Sequence, residues 1–182
     1  MKNGFRILVS LLLVLSLTVS AALASDFTGL KWGMSREEVT ELLGKETESD
    51  TAGENNVIVR YFNREIKGFS SLLILLFNSD NALFAECHGL VGAGDLSRYD
   101  VLAESCEKEY GEPIDNPRAV IECFDLMLGI KLDEEMIAQG STSGFISYKC
   151  WKESSDTDVV LVHLKAADSE ATLLVYCRST DQ

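Results

Sequence analysis

The sequence is short of histidine, with two in 182 residues, and short of positive charge, with 16 Lys and Arg against 29 Asp and Glu. His88 and His163 do not stand at metal-ligand spacing from any cysteine, so no zinc centre is readable. There is no C-x-x-C, which excludes a zinc ribbon and a thioredoxin-like motif. A P-loop is absent, and Gly89, Gly92 and Gly94 lack the spacing of a dinucleotide loop. Gly140-Ser-Thr-Ser-Gly144 places Thr142 where a nucleophile elbow needs Ser. Asn78 to Asn81 offers oxygen ligands without the twelve-residue calcium register. The deficit of positive charge disfavours nucleic-acid phosphates and anionic lipid headgroups. No metal and no cofactor are therefore expected.

Export is the first thing the sequence does carry. Lys2 and Arg6 precede an apolar run from Ile7 to Val19, and Ala22-Leu23-Ala24 stands before Ser25. This is the order of a secretory signal: charged, apolar, then small residues at the third and first positions before the cut. Residues 1–24 are read as a signal peptide cleaved between Ala24 and Ser25. The alternative is an uncleaved anchor, because Ile7 to Leu23 has 17 residues, just enough to span a bilayer. Ser10, Ser16, Thr18 and Ser20 dilute that run, and no Cys follows the small residues to carry a lipid. Removal of the signal leaves 158 residues with 14 basic and 29 acidic groups, a net −15. The expected location is extracellular, periplasmic or in the cell envelope, without stable membrane insertion after cleavage.

All five cysteines, Cys87, Cys106, Cys123, Cys150 and Cys177, lie beyond the signal. An exported chain can form disulfides. Five is odd, so at least one thiol stays free or pairs outside the chain. Their pairing is left open, and five buried thiols packing as small hydrophobes is an equal alternative.

Ser35 can cap a helix with Glu38 three residues on, and Val39, Leu42 and Leu43 share a face that Gly44 ends. Residues 45–56 are polar and read as a loop. Strands follow at Val57–Phe62, Ser70–Phe77 and Ala82–Val91, with turns at Asn63–Gly68 and Asn78–Asn81. Gly92-Ala-Gly94 marks a junction. Ser97 can cap a second helix, in which Leu102, Cys106 and Tyr110 recur at helical spacing before Gly111 and Pro113. Asn116-Pro117 opens an apolar stretch, Ala119–Leu128, read as a helix or a buried strand; Asp133–Gln139 reads as a short helix and Gly140–Gly144 as a loop. Three strands close the chain: Phe145–Lys152, Asp158–Lys165 and Ala171–Arg178. The expected fold is α+β, with two diverged helix-plus-antiparallel-meander units, residues 25–94 and 95–182. They would form two layers, and their sheet edges could join into one curved sheet.

Phe27 to Gly44, with Trp32-Gly33-Met34-Ser35, Val39 and Leu43-Gly44, resembles the opening of β-lactamase-inhibitor-protein-like modules. It is similar too to the SmpA/OmlA envelope lipoproteins. Leu102, Tyr110-Gly111-Glu112-Pro113, Trp151 and the strand Leu173 to Tyr176 resemble a second copy. The resemblance implies tandem modules whose concave sheet grips another protein, and it implies no chemistry. The chain departs from the pattern at Lys45 and in the longer stretch 114–144.

On this reading the chain is an exported, non-enzymatic protein-binding module, with Trp32, Trp151, Tyr148 and Tyr176 as candidate partner-binding residues. His88 and Tyr61 could decorate the same face. Each tryptophan could instead close the core against a helix. One alternative is an envelope structural component held by an uncleaved signal. The other is a thiol-dependent enzyme using Cys87 with His88 or His163. Cys87 and His88 are strand neighbours and should point to opposite faces.

Overall fold

The computed structural model describes residues 29–52, 56–90, 96–165 and 169–178. The signal segment, its cut at Ala24 and Ser25, and the Gly92–Gly94 junction lie outside the described residues.

Helix α1 (Arg36–Leu43) begins as its sequence dictates. Ser35 accepts from the Glu38 amide while the Glu38 carboxylate accepts from the Ser35 amide, and Gly44 closes the end at φ 83°. Polar residues 45–56, expected as a loop, instead contain strand β1 (Glu48–Ala52), which pairs antiparallel with β2 (Asn56–Ile66). Its alternation is hidden because it is an edge strand with little to bury. β2 also runs past the expected turn at Asn63. A bulge between Tyr61 and Arg64 puts Asn63 at φ 56° and lets the strand continue to Ile66. The true turn is Lys67-Gly68, both with positive φ, which suits a right-twisted hairpin into β3 (Phe69–Phe77). The Asn78 side chain then accepts from Asp80 and Ala82 amides to turn the chain into β4 (Leu83–Leu90).

Helix α2 (Leu96–Tyr110) includes Ser97 in its first turn, so Ser97 is not the cap it was expected to be. The apolar stretch after Asn116 is helix α3 (Pro117–Leu128), with Asn116 accepting from Ala119 and Gly129 left-handed at φ 65°. Helix α4 (Glu134–Thr142) is capped by Asp133 and absorbs most of the expected Gly140–Gly144 loop. The serine and threonine hydroxyls there bond back to carbonyls in the preceding turn and tolerate the helix. Strands β5 (Ile146–Ser154), β6 (Thr157–Lys165) and β7 (Glu170–Arg178) form the second meander.

The fold is α+β, built on one seven-stranded antiparallel sheet in the order β1-β2-β3-β4-β7-β6-β5. The two meanders meet at β4 and β7, where Cys87 lies opposite Val175. The hairpins β2–β3 and β5–β6 share one register at a separation of 88 residues. Ile58 pairs with Leu76 as Ile146 pairs with Leu164, and Tyr61 with Leu73 as Lys149 with Leu161.

Alternation sorts the core into two faces. On one, Val39 of α1 packs on Val59, Leu73, Leu75 and Phe77, while Tyr99, Leu102 and Cys106 of α2 pack on Trp151, Leu161 and Tyr176. On the other, Val120, Cys123 and Phe124 of α3 and Ile137 of α4 pack on Cys87, Cys150, Val160, Val162 and Val175. Helices α3 and α4 thus add a third layer, mainly over the second meander, with α3 also reaching Cys87 of β4 and the Leu76–Ala85 cluster. Each wholly buried Val or Leu contributes about 1.5–3 kcal/mol, so the two faces together carry most of the hydrophobic stabilisation.

Candidate functional site

Trp151 and Tyr176 are wholly buried, so they cannot serve as the partner-binding residues expected of them. Trp151 donates from Nε1 to the Gly111 carbonyl at 3.1 Å, fixing β5 to the end of α2. Trp32 is half-buried, packs on the cores under both α1 and α2, and donates from Nε1 to Thr157 Oγ1 at 2.7 Å. It ties the two halves together. Tyr148 is half-buried against the α3–α4 core, and Tyr61 is buried under α1. Burial makes Trp151, Tyr61 and Tyr176 core residues, whereas Trp32 and Tyr148 keep part of their surface exposed.

Cys87 and His88 do point to opposite faces. Cys87 packs under α3, and His88 is buried on the α1–α2 face. There His88 Nε2 lies 2.8 Å from Glu86 Oε1, and its Nδ1 lies 3.3 Å from Ser71 Oγ. Ser71, His88 and Glu86 are at most 1% exposed, and this buried relay ties β3 to β4. His163 Nδ1 bonds Thr172 Oγ1 at 2.9 Å and its ring lies tilted at 58° beside that of Tyr99. All five cysteines are buried and unpaired. Burial pushes the thiols of Cys87, Cys106, Cys150 and Cys177 up to about 12 and raises Cys123 as well. Among the described residues no group of three His, Cys, Asp or Glu could hold a metal. None of the described helices is long and apolar enough to cross a membrane.

A shallow depression beside α1 is lined by Arg36, Thr40, Lys45 and Glu46. Arg36 and Glu46 pair with each other there.

The remaining candidate is a surface that follows from the third layer's partial coverage. Helix α3 packs on β5 and β6, and α4 on β5. In the first meander that face is covered only near β7, where Leu76 and Ala85 are buried with Cys177 beside Leu126 and Met127 of α3, and its outer positions stay half-exposed. Phe62, in the bulge that follows Tyr61, is 42% exposed, whereas Cys150, next after Lys149 of the matching hairpin, is 1%. Leu72 and Ile74 fall at the positions of Val160 and Val162; they are half-buried where their counterparts are fully buried. Ile58 and Phe84 complete this half-exposed apolar strip, and Leu126 and Met127 at the end of α3 border it. Asp50 and Glu48 share the face through their partners Ile58 and Arg60, as does Glu65 through Ser70. The strip's rim is therefore mainly acidic, with Arg60 beside Glu48 as the basic exception. The sequence signal for this surface was the alternation in VIVRYF, whose outward residues Ile58 and Phe62 are apolar where a solvated face would be polar.

No protein-family model, no curated protein and no solved structure matches this chain.

Proposed function

We propose that the chain is an exported, non-enzymatic protein-binding module whose contact surface is the uncovered half of its sheet. The observation that supports this is the asymmetry between hairpins of matching register. One face position is sealed by α3 and α4 in the second meander and left apolar and half-exposed in the first. An apolar strip ringed by charge is the usual anatomy of a protein contact. The resemblance to tandem sheet modules that grip proteins points the same way. The signal-like N-terminus supports export, and a net charge of −13 for the whole chain disfavours nucleic acid as the partner.

The thiol-enzyme alternative draws little support. A nucleophilic cysteine needs a depressed pKa and access, and the five thiols have neither.

The test is paired photocrosslinking in the producing cell, with benzoylphenylalanine at Phe62 or at Val101, an exposed apolar residue of α2. A discrete adduct from position 62 and none from 101 supports the reading. Adducts from 101 alone, or from neither, refute it.

A further inference from the structure

We infer that the partner presents a basic amphipathic helix to the open half of the sheet. This rests on the proposed contact surface and adds the chemistry of its occupant. Two independent observations carry it.

The first is internal. At the matching positions of the second meander, what covers the face is helical: the twelve-residue α3, followed by α4. Val160 and Val162, the counterparts of Leu72 and Ile74, are sealed by the apolar side of α3. The register of the open half matches from Ile58 to Tyr61, up to the bulge, so an apolar helix stripe at i, i+3, i+4 and i+7 fits it there for the same reason. An added strand would need the outer edge of β1, which stands one strand beyond this strip.

The second is charge. The sheet residues that share this face contribute Glu48, Asp50 and Glu65 against Arg60. Exposed Asp125 lies in the last turns of α3, whose end borders the strip. A helix with Lys or Arg flanking its apolar stripe would meet complementary potential there, and an acidic helix would be repelled. The same charge opposes a second copy of this chain as the occupant.

The experiment uses the full chain and a synthetic peptide of about 18 residues, long enough to hold helical structure. Leu occupies one stripe and Lys the flanks; a twin carries Glu in place of Lys. Fluorescence anisotropy should show micromolar binding of the Lys peptide and at least tenfold weaker binding of the Glu twin. F62D should weaken the Lys peptide at least tenfold, and V101D should leave it unchanged. Circular dichroism checks that F62D folds, with F62S as the milder variant. Absence of binding, equal binding of the twin, or binding indifferent to F62D and F62S overturns the inference. So does a concentration-dependent dimer in sedimentation that F62D abolishes. A position-62 photoadduct without peptide affinity overturns the helix and leaves the contact surface standing; loss of both removes the surface as well.

Discussion

Gly140→Ala is the substitution whose sign depends most on how α4 sits. In an exposed helix this change stabilises by about 1 kcal/mol, because alanine loses less backbone freedom. Here an added Cβ would stand 2.6 Å from Ile146 Cδ1, 2.9 Å from Cγ1 and 3.4 Å from Cβ. The outer two atoms could turn aside only by changing rotamer, and a β-branched side chain on a strand has few to choose from. Overpacking of this kind costs about 1–3 kcal/mol. Repulsion therefore cancels or outweighs propensity, with a net loss of up to about 2 kcal/mol. That corresponds to a fall in Tm of up to about 8 °C for a chain of this size. Urea unfolding followed by circular dichroism measures it. Trimming Ile146 to Val in the same background should recover part of the loss, giving a non-additive cycle. A Gly140→Ala protein more stable than the parent by about 1 kcal/mol would show that α4 is not seated on β5. The contrast between covered and open halves would then lose its footing.

Phe62→Asp should change unfolding free energy by no more than about 1 kcal/mol, whereas Val162→Asp should leave the chain unfolded, because one site is half in solvent and the other wholly buried; urea titration separates the two. His88→Ala should cost about 3–5 kcal/mol by the same assay, since it strips Glu86 and Ser71 of a buried partner. Thiols raised from about 9 to about 12 by burial ionise in the unfolded chain first. Their contribution is intact below pH 9 and is lost as pH climbs toward 12, so the urea midpoint should fall between pH 8 and pH 10.5; an unchanged midpoint contradicts their burial. In native protein none of the five thiols should react with Ellman's reagent within minutes, and all five should react in denaturant.

Much of the fold was legible because its signals are local. Ser35 with Glu38, Asn116 with Pro117, and Gly44, Gly111 and Gly129 each fix a helix end through their own backbone or side-chain chemistry. The last three strands were readable from β-branched runs broken by short links. The misses have physical causes. β1 is polar because an edge strand buries little, and the Tyr61–Arg64 bulge disguises the continuation of β2 as a turn. The Gly140–Gly144 loop was misread because Ser and Thr favour turns unless their hydroxyls bond the helix behind them.

The site was less legible. Trp151 and Tyr176 suggested a binding face by residue type alone, but burial depends on which strands become central, and the order β4-β7-β6 is set by long-range pairing. The open strip left only a faint signal, apolar Ile58 and Phe62 at outward positions interrupted by Arg60, for the same reason. Cys150 is buried because α3 and α4 fold back over the second meander, whereas Phe62, in the bulge of β2, stays 42% exposed.

Leu72 and Ile74 of the first meander are half-exposed where the matching Val160 and Val162 are sealed. Solvent paramagnetic relaxation on the methyl-labelled full chain reads this directly, with a soluble gadolinium chelate as the probe. The account expects strong broadening at Ile58, Leu72 and Ile74 and little at Val160 and Val162. Comparable broadening of the two sets, or protection of the first, would contradict it.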